Sequence, residues 1–346
     1  MSFDPNGVGV ANGNLFGFPC TEAEADLIII PIPWDATASY GKGTSNGPQA
    51  ILEASTQLDF FHPRLEKAYE TKIFLTPISE EWKAINDSLN DRASGYFLDL
   101  EQLGEASAQL KHKAIIDEIN TAHEALTSNL KSRVETLIQS GKICAVLGGE
   151  HSTPLGLIQA INAHYTSFSI LQIDAHADLR NAYEGFNQSH ASIMYNVVES
   201  CDKLNQLVQV GIRDLSSDEY ERSLTHPKIT TYFDWNLKEE SFHGKTWSTQ
   251  CDEIIESLSN DVYISFDIDG LIPNLCPNTG TPVAGGFTLE QLSFLIFKLV
   301  DSGRKIIGFD LNEVSPGSSG DWDANVGARV LWQLVCATEL SRRKSC

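Results

Sequence analysis

Six short apolar runs recur along the chain: "LIIIPI" at 27–32, "ICAVL" at 143–147, "SILQI" at 169–173, "LVQV" at 207–210, "VYISF" at 262–266 and "KIIGF" at 305–309. Continuous apolar character over so few residues, rich in Ile and Val, marks a strand buried on both faces. Between the runs the period changes: "TAHEALTSNLKSRVETLIQS" (121–140) and "TLEQLSFLIFKLVDSG" (288–303) carry apolar residues at helical spacing. Strand alternating with helix predicts an α/β fold, a three-layer α/β/α arrangement around a central, mostly parallel sheet.

One stretch interrupts this rhythm. Residues 60–104 mix prolines, aromatics and charges without a clear period, and read as an insertion or elaborated segment within a single domain covering 1–346. No internal repeat, low-complexity tract or Pro/Ser linker argues for a second domain.

Polar residues gather where the runs end. "ICAVL" leads into "GGEHS" with His151, "SILQI" into "DAHAD" with Asp174, His176 and Asp178, "VYISF" into "DID" with Asp267 and Asp269, and "KIIGFD" into "LNEVSP" with Glu313. The carboxyl edge of an open parallel sheet is where ligands bind, so these distant segments are expected to meet at one site. Extended backbone sends alternate side chains to the same side, which aims Asp174, His176 and Asp178 into one space. Taken singly, His151 could be a histidine in a glycine-rich turn, and Asp267 and Asp269 a turn initiator. Together, two imidazoles and four carboxylates are costly to bury without a cation among them. Oxygen-rich coordination lacking cysteine suits manganese rather than a structural zinc, and six ligands suit two ions about 3.5–4 Å apart.

Composition narrows the partners. With 46 acidic and 25 basic residues the formal charge is −21, which repels nucleic-acid phosphates and anionic membranes and attracts a small cation. The seven cysteines are scattered and include no CxxC pair, consistent with free thiols in a reducing compartment. The beginning "MSFDPNGVGV" has no basic-then-apolar leader, and no apolar run reaches membrane-spanning length, so a cytoplasmic protein is expected. "GKGTSNG" at 41–47 lacks the spacing of a phosphate-binding P-loop.

"GGEHS", "DAHADLR" and "SFDIDG" followed by "NTGTPVAGG" resemble the three signature blocks of the ureohydrolase (arginase/agmatinase) family, and "PWDATASYGKGTSNGPQAI" (33–51) resembles its substrate-side loop. The resemblance covers most of the chain outside 60–104. It implies an arginase-like fold and two manganese ions, nickel in some members. One ion would be held by His151, Asp174, Asp178 and Asp267, the other by Asp174, His176, Asp267 and Asp269, with Asp174 and Asp267 as bridges. It further implies that a hydroxide shared by the ions attacks the guanidinium carbon, giving urea and an amine or ammonia. His190, in "NQSHAS", matches the histidine that passes a proton to the leaving amine, and Glu313 the carboxylate that binds the guanidinium. Relatives are homotrimers or homohexamers, so a homo-oligomer is expected.

Two positions depart from the family pattern. Ile272 stands where members commonly have aspartate before proline, at a position that is not a ligand. Arg180 stands where arginases carry an asparagine that helps read arginine's amino-acid end, so the chain looks closer to agmatinase-type enzymes. The expected substrate is a small cationic guanidino compound of agmatine type, or guanidine itself; arginase or formimidoylglutamase activity is the alternative. A deacetylase-type zinc enzyme would need one metal and fewer ligands. A non-catalytic subunit retaining the fold would be expected to have lost ligands, and all six are present.

Overall fold

The structure, a computed structural model, describes residues 3–318 and 320–345. Strands and helices follow one another as β1 (Leu27–Ile32), α1 (Gly47–Ser55), β2 (Ile73–Leu75), α2 (Glu80–Leu103), α3 (Glu105–Gln139), β3 (Ile143–Gly148), α4 (Leu155–His164), β4 (Phe168–Ile173), α5 (Ile193–Ser200), β5 (Leu204–Val210), α6 (Ser217–Thr225), β6 (Ile229–Tyr232), α7 (Asp234–Phe242), α8 (Trp247–Glu256), β7 (Asp261–Asp267), α9 (Leu289–Asp301), β8 (Lys305–Asn312) and α10 (Trp322–Ser345).

The strands form one sheet, ordered β2-β1-β3-β8-β7-β4-β5-β6, with every pairing parallel. The pleat divides each strand between two cores. Leu27 and Ile29 pack with α1, α9 and α10, whereas Ile28, Ile30 and Ile32 pack with α2, α3 and α4. Both faces are therefore covered, and the layers are α/β/α as the alternation predicts. All six predicted strands are present. The two additional strands, β2 and β6, are the short edges of the sheet.

The irregular 60–104 stretch contains an ordered helix. Ser79 caps α2 by accepting from Trp82 N–H (3.2 Å), Glu80 and Glu81 occupy its first turn, and Gly104 at φ 76° ends it. Trp82, Ile85, Leu89, Ala93, Tyr96 and Leu100 form a stripe packed on the core that α3 shares. The polar face of α2 reaches the 35–43 loop. Asp35 accepts from Gly43 N–H (3.0 Å), Ser45 N–H (3.2 Å), Asn86 (3.0 Å) and Asn90 (2.6 Å), so two asparagines one helical turn apart pin that loop beside the end of β3. Gly149 is required there because a Cβ would lie 2.0 Å from the Trp34 carbonyl oxygen.

Among the described residues no helix is long and apolar enough to cross a membrane. The six described cysteines are free, and Cys346 lies outside the described residues.

Candidate metal centre

The four neighbouring strands β3, β8, β7 and β4 deliver the site residues at their carboxyl ends. His151 follows β3, Asp174 follows β4, Asp267 is the last residue of β7 and Glu313 follows β8. Two clusters of potential ligands result, His151 with Asp174 and Asp267, and Asp174 with His176 and Asp269. Asp174 belongs to both. Asp178 joins the first, its Oδ2 lying 3.2 Å from His151 Nδ1. It has φ 53°, and its carbonyl accepts from Met194 and Tyr195 N–H in the first turn of α5. All six residues predicted from the sequence thus converge.

Hydrogen bonds around the clusters orient the ligand atoms. Ser265 donates to Asp310 (3.1 Å), so its oxygen is left to accept from His151 Nε2–H (2.9 Å). His151 Nδ1 is then an acceptor, yet it faces Asp174 Oδ2 at 3.0 Å, Asp178 Oδ2 at 3.2 Å and Asp267 Oδ2 at 3.2 Å, and it is buried without a hydrogen-bond partner. A bare imidazole nitrogen among three carboxylate oxygens fits a cation at their centre. Further bonds hold the carboxylates: Gln172 and His176 N–H donate to Asp174, Ala175 N–H to Asp269 and Asp269 N–H to Asp267.

Electrostatics say the same. Burial pushes Asp174, Asp178 and Asp267 up, reinforced by neighbouring carboxylates, and Asp178 reaches about 7. Against burial, the surrounding aspartates raise His151 and His176 well above their ordinary value. Asp269 is also buried but is held down to about 2, chiefly by His176. Such a cluster is relieved when metal charge replaces protons.

A cavity of about 200 Å³ opens beside the clusters, lined also by Tyr40, Arg180, Tyr183, His190 and Glu313. Glu313 adopts φ 63°, its Oε1 accepts from His151 N–H (2.8 Å), and burial together with the Glu150 charge raises it well above the usual carboxylate range. Burial, and then the nearby His176 and His151, push His190 down to about 4. Arg180 places Nε 3.3 Å from buried Glu219 and its guanidinium 4.8 Å from the centre of the Tyr183 ring.

Two buried residues escaped the sequence reading. Asp310 supports His151 through Ser265, and Glu150 binds Thr37 and Ser152. Asp310 sits inside an apolar run and Glu150 inside a glycine-rich turn. An acid in either setting is the available signal.

The family model described as "Arginase family" matches residues 25–337, and the chain belongs to that family. The N(1)-aminopropylagmatine ureohydrolase of Thermus thermophilus is 31% identical over 308 residues, covering 89% of this chain and 88% of that protein. The agmatinase of Bacillus subtilis is 27% identical over 320 residues, covering 90% and 91%. In three dimensions the agmatine ureohydrolase of Thermoplasma volcanium matches with a TM-score of 0.70 at 22% identity, covering 95% of each chain, which shows the shared fold. The chain is thus a ureohydrolase-type C–N hydrolase, from a family that depends on a pair of metal ions.

Proposed function

We propose that this protein hydrolyses the guanidino group of a small cationic guanidino compound, of agmatine type or guanidine itself, releasing urea and an amine or ammonia. The observation that carries this reading is Glu313 beside the two ligand clusters in one cavity. His151 N–H fixes one Glu313 oxygen, which leaves the other to take N–H donors of a guanidinium. A planar cation held in this way presents its carbon towards the clusters.

His151, Asp174, Asp178 and Asp267 would hold one ion, and Asp174, His176, Asp267 and Asp269 the other. Once bound, the pair acidifies water and makes a nucleophile available at neutral pH. His190 lines the same cavity and delivers a proton to the departing nitrogen, without which an amine leaves poorly. Water adds at the guanidinium carbon, one C–N bond breaks, and the amine departs protonated. Manganese is the metal we favour, for its match to an oxygen-rich donor set, with nickel as the alternative, and a homotrimer or homohexamer is the assembly.

Urea release should be measured with metal-loaded protein on agmatine, N(1)-aminopropylagmatine, arginine, shorter guanidino compounds and guanidine, with formamide release from formiminoglutamate alongside. Urea from a cationic guanidino compound is expected. Formamide alone would replace this reading with formimidoyl cleavage, and inactivity on the whole panel would leave a non-catalytic subunit.

A further inference from the structure

Glu150 is fully buried and stands outside both ligand clusters. Its carboxylate accepts three hydrogen bonds: Oε2 from Thr37 N–H (3.0 Å), and Oε1 from the hydroxyls of Thr37 (2.7 Å) and Ser152 (2.5 Å). A hydroxyl has a single hydrogen. Having given it to Glu150, Thr37 Oγ1 has only a lone pair to offer His190 Nδ1, 3.4 Å away. The contact is satisfied only if Nδ1 carries a proton. The other ring nitrogen, Nε2, has no partner among the described residues and is left as the lone pair of a residue that lines the cavity.

We infer that Glu150 and Thr37 are positioning residues that hold neutral His190 as its Nδ1–H tautomer, with Nε2 free to take up and deliver the proton. This deepens the proposed function and rests on His190 as the proton donor to the leaving nitrogen. The arrangement serves both states of the ring, because an imidazolium keeps its Nδ1–H and hence the same bond to Thr37. The ring need not turn between receiving a proton and giving it up.

Glu150→Gln makes a specific demand on this network. A carboxamide has one accepting and one donating arm. Thr37 N–H can only donate, so it claims the amide oxygen, and the amide NH2 falls against the two hydroxyls. Both must then accept, which frees Thr37 O–H to donate to His190 Nδ1. The His190 proton should therefore move to Nε2.

Two-bond 15N–1H correlation spectra of the imidazoles in zinc-loaded protein read this directly, with the His190 signals identified by their loss in His190→Asn. Nδ1–H is expected in the wild type, Nε2–H in Glu150→Gln, a mixture in Thr37→Val and the wild-type pattern in Thr37→Ser. Nε2–H in the wild type, or an unchanged spectrum in Thr37→Val, overturns the inference even if Glu150→Gln fails to fold. On whichever guanidino substrate is turned over, Glu150→Gln should lower kcat about tenfold or more while KM and metal content stay near wild type. A rise in KM at constant kcat would make the network a substrate-binding element and overturn the positioning role. If the wild type released urea from no guanidino compound, the functional reading would fall, and the spectra would still decide the tautomer.

Discussion

Asp174 divides its carboxylate between two histidines, with Oδ2 3.0 Å from His151 Nδ1 and Oδ1 3.7 Å from His176 Nδ1. Asp267, the other proposed bridge, falls by distance in the first cluster alone. Asp269 lies 2.9 Å from His176 and is in the second cluster only. Asp174→Ala is therefore expected to deplete both metal positions, and Asp269→Ala to deplete one. Elemental analysis of purified variants checks this, and equal retention of metal in the two would contradict a shared Asp174.

Glu313→Gln preserves shape and one acceptor but removes the charge that faces a guanidinium. A charge-assisted hydrogen bond is worth about 1.5–3 kcal/mol, so kcat/KM should fall about ten- to a hundredfold. Because the guanidinium is common to every substrate, the loss should be similar whatever the tail, with metal content unchanged. A defect confined to one tail would make Glu313 a reader of that tail.

His190→Ala should lower turnover by about 10²- to 10⁴-fold, the usual contribution of a placed acid or base. Metal content should hold, since His190 belongs to neither ligand cluster. Burst and steady-state kinetics on a substrate with a more acidic leaving amine should show a smaller loss, because such an amine needs less help to depart.

His123 gives a pH signature of its own. Burial pushes it down to about 4, whereas an unfolded histidine titrates near 6.5. Between those values the unfolded chain takes up a proton that the native chain refuses. The neutral ring's contribution is intact above pH 6.5 and is lost as pH falls towards 4, about 3 kcal/mol in all. Urea unfolding at pH 7 and pH 4.5 should show a smaller pH-dependent drop for His123→Gln than for the wild type.

The sheet's interior was legible because burial on both faces leaves an unbroken apolar run, and β1 begins and ends at the sequence boundaries, Leu27 and Ile32. β2 and β6 were not, since "IFL" and "ITTY" are short edge strands with partly exposed residues. The period of α2 was hidden by the proline-rich approach to it and by Asn86, which is fully buried at a core position to bind Asp35. The ligand residues could be named from spacing and strand ends. Which nitrogen of His151 faces the carboxylates could not, because that depends on a hydroxyl from β7 and a carboxylate within β8.

The order of the strands carries a consequence for how the protein comes into being. β8, the last strand in sequence among the described residues, lies between β3 and β7 in the middle of the sheet. Until it inserts, β3 has no neighbour on that side, and His151 is separated from Asp267 by a missing partner. Asp174, His176 and Asp269 can meet on the directly paired β4 and β7, but the cluster that needs His151 and the cavity that needs Glu313 are completed only after residues through 313 have folded. Contacts this distant in sequence close slowly. Uptake at the His151 cluster should then coincide with the insertion of β8 and report on it.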